Sequence, residues 1–133
     1  MKRYSLLMCM AVGALFASVN VQAANPGQSA ERCLDVSTNS KSSHNLIFKN
    51  RCSYQIFVVW CGDLKYSKKE CGDGPRNTYY TQSANIRAYD EKATTLKSRG
   101  SYEYASCKGK IGFGSKGIEH SASNNGRYRC TRT

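Results

Sequence analysis

The only imidazoles in this chain are His44 and His120. Two histidines and a lysine are the working parts of a basic secreted ribonuclease, with one ring as general base, the other as general acid and the cation on the phosphate. That chemistry requires both rings to meet at one phosphate. His44 stands in a polar stretch, and His120 follows Glu119 beside a Ser/Asn-rich segment, so each reads first as a surface histidine. Other catalytic patterns are thinner. Glu70 and Asp73 flank Cys71 in a loop sequence, a poor setting for a glycosidase pair. No G-x-S-x-G motif occurs. Tyr54 and Trp60 offer ring faces, but they alternate with Ile56 and Val58 as core residues do. No catalytic residue is assigned, and no cofactor or metal is implied.

Cations carry more information. Twenty Lys and Arg stand against nine Asp and Glu, for a net charge of +11. Denser groups are Lys65, Lys68 and Lys69, then residues 87–99, then Lys108, Lys110 and Lys116, then Arg127 and Arg129. Tyr66, Tyr89, Phe113 and Tyr128 interleave with them. Cations among rings suit a phosphorylated or sulfated ligand, because charge attracts it and rings stack or anchor at an interface. The plain alternative is a basic surface that only keeps the protein soluble. Residues 108–117 are the sharpest local candidate: four glycines permit close backbone approach, so successive N–H groups would cradle an anion while Lys108, Lys110 and Lys116 neutralise it. The spacing is not that of a P-loop, and the same glycines serve a twisted edge hairpin equally well.

The seven cysteines divide into one and six. Cys9 lies in a segment with the form of a secretory leader: Lys2 and Arg3, an apolar run over residues 6–19, and Val21-Gln22-Ala23 before a cut between Ala23 and Ala24. The run is shorter than the ~20 residues that span a bilayer. Residues 6–9 only faintly resemble a lipobox, since Met8 is too large for that signal's last position. The remaining chain carries Cys33, Cys52, Cys61, Cys71, Cys107 and Cys130, an even set that predicts three disulfides formed in an oxidising compartment, secreted or periplasmic. With no C-x-x-C pair, zinc is not expected. Spacing does not choose among the 15 pairings that six cysteines allow. We expect a local Cys61–Cys71 bridge, with Cys52–Cys107 and Cys33–Cys130 joining distant strands. The chain lacks an Asn-x-Ser/Thr sequon, which with the short basic leader points to a bacterial source.

The elements that must position these groups are strands. Residues 24–43 are polar and read as an arm pinned by Cys33, leaving residues 44–133 as one disulfide-stapled domain. Residues 54–61 form the strongest strand, with Tyr54, Ile56, Val58 and Trp60 on one face and Phe57 and Val59 on the other, as in the middle of a sheet. A turn at residues 50–53 predicts a hairpin with the strand at 45–49. Residues 63–77 read as a loop. Short β runs follow at 78–82, 85–89, 93–97, 101–107, 110–113 and 128–131, with turns at 99–100, 108–109 and 124–126. No segment shows helical periodicity. The expected fold is all-β, a small antiparallel β-sandwich or barrel stapled by three disulfides.

Asn50-x-Cys52, then Ile56-x-Val58-x-Trp60-Cys61, then Tyr104-Ala105-Ser106-Cys107-Lys108-Gly109, resembles small secreted bacterial cysteine-rich β proteins of unassigned activity. The resemblance implies a disulfide-linked β fold and transfers no site residue.

The function expected from these residues is a monomeric, secreted, basic binding protein for anionic ligands. Phosphorylated lipid headgroups (phosphoinositides or acidic phospholipids at a membrane surface) come first, because dispersed cations and short glycine loops suit a headgroup better than a groove. Phosphorylated or sulfated glycans come next, and nucleic acid only as a nonspecific partner. The expected ligand-binding residues are Lys65, Lys68, Lys69, Lys108, Lys110, Lys116, Arg127 and Arg129. Two alternatives stand beside it: a ribonuclease using His44 and His120, and an effector or inhibitor that inserts residues 65–73 into an acidic protein.

Overall fold

The computed structural model describes residues 25–112 and 116–133. Within them eight strands follow one another: β1 (Leu34–Thr38), β2 (Leu46–Asn50), β3 (Ile56–Gly62), β4 (Gln82–Ile86), β5 (Glu91–Thr94), β6 (Tyr102–Lys108), β7 (Ile118–His120) and β8 (Tyr128–Cys130). The expected leader over residues 1–23 lies outside the described residues, as do residues 113–115 in the middle of the glycine segment.

β3 organises the rest. Residues 56–61 are all buried, as a strand apolar on both faces must be, and β3 runs between β4 and β6 in an antiparallel sheet. Its Ile56, Val58 and Trp60 face a second antiparallel sheet of order β1-β2-β5 and meet Leu46 and Phe48 there. The Phe48 and Trp60 rings lie 5.1 Å apart. The opposite face of β3 presents Phe57, Val59 and Cys61, which pack with Tyr80, Ala105, Cys107 and Ile111 under the β7–β8 hairpin. Two cores therefore share one strand. The protein is all-β with small antiparallel sheets, and no barrel closes among the described residues.

Sequence and structure part at the first turn. The strand at 45–49 was expected to form a hairpin with residues 54–61, yet β2 and β3 belong to different sheets. Each has an apolar face that only the other can cover, so they stack face to face. Asn50 builds the corner: its fully buried amide donates to the carbonyls of Tyr54 (2.7 Å), Ile86 (3.2 Å) and Arg87 (3.0 Å) and accepts from Cys52 N–H (3.0 Å). Those bonds satisfy backbone groups that a hairpin ladder would otherwise have paired.

β1 and β7 were not foreseen. Inside the stretch read as a polar arm, Leu34 and Val36 alternate with Asp35 and Ser37, and β1 pairs with β2 along its whole length. Of the expected runs, 78–82 joins a ladder only at Gln82, and 85–89 contributes only Asn85 and Ile86 to β4. Residues 110–112 form no strand; instead the Asn85 side chain holds both Ile111 N–H (3.1 Å) and Ile111 C=O (2.8 Å).

The disulfides are Cys33–Cys52, Cys61–Cys71 and Cys107–Cys130. The local Cys61–Cys71 bridge is as expected. The other two expected pairs are corrected: Cys33 and Cys52 close the β1–β2 end of one sheet, and Cys107 ties β6 to β8. The reason is the two-core layout, in which Cys33 belongs to one core and Cys107 with Cys130 to the other. Three disulfides mark a protein of an oxidising compartment.

Candidate ligand-binding cleft

The β7–β8 hairpin is held down by Cys107–Cys130 and turned by residues 121–127, where Asn125 and Gly126 both take left-handed backbone angles. Gly126 is needed here twice over. Its φ is +81°, and a Cβ at this position would lie 2.6 Å from the Tyr79 ring. The close approach lets the Tyr80 hydroxyl donate to Gly126 C=O at 2.9 Å.

This docking brings His120, the last residue of β7, edge-on to the Tyr80 ring with centroids 5.1 Å apart. The backbone N–H groups of Tyr79 and Tyr80 both donate to His120 Nδ1, at 3.2 and 3.3 Å. A nitrogen that accepts carries no proton, so the proton of the neutral ring is on Nε2. Burial holds His120 below the ordinary imidazole value of 6.5. The result is a neutral ring, tied by its back edge, with one N–H left to donate and no acceptor for it among the described residues.

The neighbouring phenols are fixed in their neutral form. Burial pushes Tyr80 up to about 12. Burial and a hydrogen bond to Glu31 (2.5 Å) do the same for Tyr128, also to about 12. Tyr79 donates to Glu103 at 2.5 Å, which raises its phenol as well. These groups form the frame of the site and hold its shape.

His120 lines two adjoining depressions together with Thr78 and Ile118. One is a recess of about 150 Å³ with apolar walls from Phe57, Val59, Pro75, Tyr80 and Ile118, and with Arg76, Thr78, Gln82 and His120 as its polar groups. Arg76 and Asn77 are consecutive non-glycine residues at positive φ, 56° and 61°, and this uncommon backbone brings Arg76 to the recess. The other depression is broader and carries Arg127, Tyr128 and Arg129. Arg129 is bonded to Glu119 at 2.6 Å across the hairpin, an exposed pair of little energetic weight. Arg127 makes no ion pair among the described residues. The arrangement is a concave site with a neutral N–H donor shared by two depressions, one lined by Arg76 and the other by Arg127 and Arg129.

The expected site residues are scattered. Arg127 and Arg129 share the cleft with His120. Lys65 lies over the Tyr66 ring at 5.6 Å, on an exposed loop that also holds Lys68 and Lys69. Lys108 sits on the Tyr54 ring at 4.1 Å, and Tyr54 in turn contacts Cys33 Sγ at 2.8 Å. Lys110 and Lys116 are exposed, and the backbone carbonyl of Lys116 accepts from the Thr131 hydroxyl. None of these six lysines lines the His120 depressions. His44 stands on the β1–β2 turn with its Nδ1 at 3.2 Å from the Ser43 hydroxyl, and neither depression includes it. Cys61, Cys71 and Glu103 come within 4.8 Å of one another, but both sulfurs are joined in a disulfide and offer no thiolate to a metal.

Arg76, Thr78, Gln82 and Ile118 escaped the sequence reading. The contacts that gather them cross tens of residues, 41 in the case of Tyr79 and His120. The one local signal was the Gly74-Pro75 breaker ahead of Arg76. No protein-family model, curated protein or solved structure was found to match the chain. The resemblance drawn from short motifs therefore stands at its coarser level, that of a small all-β protein with three disulfides.

Proposed function

We propose that this chain is an exported binding protein for small anionic ligands, with its leader removed between Ala23 and Ala24, and that the anion is taken at the His120 cleft, whose recess Gly112 also lines, rather than by the lysines of the glycine segment. The observation that carries this reading is the tethered imidazole. Two backbone amides occupy Nδ1, so Nε2 offers a proton to an acceptor, and Arg76 and Arg127 each line one of the two depressions that His120 shares. A phosphate, sulfate or carboxylate oxygen meets that donor set, and a charge-assisted hydrogen bond is stronger than a neutral one. With the leader and its Lys2 and Arg3 gone, 18 Lys and Arg against nine Asp and Glu leave a net charge of +9, which steers such a ligand inward. In this tautomer Nε2 has no lone pair to take a proton, which favours binding over general-base catalysis by His120.

A titration of the oxidised protein with inorganic phosphate at low salt, followed by NMR of the two imidazoles, tests the proposal. Saturable shifts at His120 and none at His44 are expected. Shifts confined to lysine side chains would overturn it.

A second reading has its own support. Lys65, Lys68 and Lys69 lie on either side of Tyr66 in sequence, and Tyr66 is 83% exposed, on a loop closed by Cys61–Cys71. A ring among lysines is suited to the headgroup layer of an acidic membrane, the class of phosphorylated lipid expected from sequence. Co-sedimentation with phosphatidylserine vesicles that is lost in a Lys65, Lys68 and Lys69 to Glu triple variant would support this surface.

A further inference from the structure

The recess beside His120 says more about the ligand than its charge. It holds about 150 Å³. An apolar protein cavity of about that volume is the size that accommodates one benzene molecule. Phe57, Val59, Tyr80 and Ile118 supply apolar walls, while Arg76 and His120 supply the groups that favour an anion. Building on the anion-binding reading, we infer that the ligand is a monocyclic aromatic acid: one six-membered aryl ring seated in the recess, carrying a phosphate, sulfate or carboxylate that meets His120 Nε2–H and the guanidinium groups that line the two depressions.

Three physical points favour an aryl ring over a sugar or inositol ring. A polyol carries a hydroxyl on nearly every carbon, and each one buried against Phe57, Val59 or Ile118 loses its water without gaining a partner. An aryl ring has no such hydroxyls, and its faces and edges pack against Phe57 and Tyr80 as aromatic pairs do. The recess is also closed off in depth by the second core, since Phe57, Val59 and Tyr80 belong to it. A long acyl chain would have to displace that core, whereas one ring fills the space that exists.

The experiment compares phenyl phosphate, inorganic phosphate and inositol 1-phosphate on the oxidised protein, by NMR titration of the His120 ring and by calorimetry. Phenyl phosphate is expected to bind about tenfold or more tighter than inorganic phosphate, the scale set by burying one ring. Its ring protons should show nuclear Overhauser contacts to Phe57 and Ile118. In Val59→Phe, which narrows the recess, phenyl phosphate should lose its advantage over inorganic phosphate when the two are compared on that same variant. The Overhauser contacts use the unaltered protein, so they decide the matter even if that variant does not fold. Equal affinity for phenyl and inorganic phosphate at His120 overturns the ring inference and leaves the anion reading standing. Tighter binding of inositol 1-phosphate than of phenyl phosphate also overturns it, in favour of a polyol. No perturbation of His120 by any of the three overturns both.

Discussion

Two basic regions of this protein, each beside a disulfide, differ in what their charge can accomplish. The loop bearing Lys65, Lys68 and Lys69 is exposed, none of the three lysines lines a depression with His120, and Cys61–Cys71 closes the loop like a clasp. The β7–β8 cleft has as many cations, Arg76, Arg127 and Arg129, but is concave, and Cys107–Cys130 presses it onto a core. Charge on the loop is met by water and salt within about 8 Å at physiological ionic strength. Charge in the cleft stands next to apolar walls and a half-buried donor, where a ligand sheds solvent and each contact counts for more. Density of Lys and Arg in the sequence marked both the loop and the Arg127 and Arg129 side of the cleft. The orientation of two backbone amides singled out the cleft.

The sharpest way to break this comparison is to open the two disulfides separately. The Cys107–Cys130 bridge closes 23 residues and the Cys61–Cys71 bridge 10. Loop-closure entropy gives each a stabilisation of about 3 kcal/mol, so paired Cys→Ser variants should lose similar stability in denaturant unfolding. Phosphate binding should separate them. It should vanish with Cys107 and Cys130 replaced and persist with Cys61 and Cys71 replaced, because only the first pair holds His120 against Tyr79 and Tyr80.

His120→Ala should cost about 2 kcal/mol by leaving two amides without their acceptor and a gap beside Tyr80. His44→Ala should stay within about 0.5 kcal/mol, as expected for an exposed turn residue. Equal losses in urea melts would deny His120 its special position.

Arg127→Glu should weaken phosphate binding about tenfold by reversing a charge at the cleft. The triple Lys65, Lys68 and Lys69 to Glu variant should change it much less and act on vesicle binding instead. Calorimetry and co-sedimentation on the same two proteins read this difference, and a reversed pattern would make the loop the anion site.

The smallest expected effect is on pH dependence. His120 sits below the ordinary value of 6.5 because it is buried, so the unfolded chain gains its proton first as pH falls. The contribution of the neutral ring is complete above pH 6.5 and diminishes as pH drops below it toward the lower folded value. His120→Gln should flatten stability across that window in melts at pH 7 and pH 5. An unchanged slope would mean that the ring is not held neutral by its site.

Much of the architecture followed from composition and alternation alone. Six consecutive buried residues in β3 reflect an apolar run with no polar face, and such a run has only the middle of a sheet to occupy. The Cys61–Cys71 bridge followed from proximity in the chain, and the turn at residues 124–126 from its Asn-Asn-Gly sequence. These are local properties, and local properties can be read residue by residue. Which face of β3 meets β2 and which meets the β7–β8 hairpin is not local, and neither are the Cys33–Cys52 and Cys107–Cys130 pairings that depend on it. The cleft is further still from the sequence. His120 acquires its tautomer from amides 40 and 41 residues away, and Arg76 reaches the same recess through a turn whose place the Gly74-Pro75 breaker marks but whose direction it does not. Sequence determined that the chain would be a basic, disulfide-stapled β protein, because hydrophobicity, charge and cysteine count are sums over residues. Only the tertiary structure decided which of its basic groups share a recess, because a binding site depends on positions, and those exist only once two cores have closed on one strand.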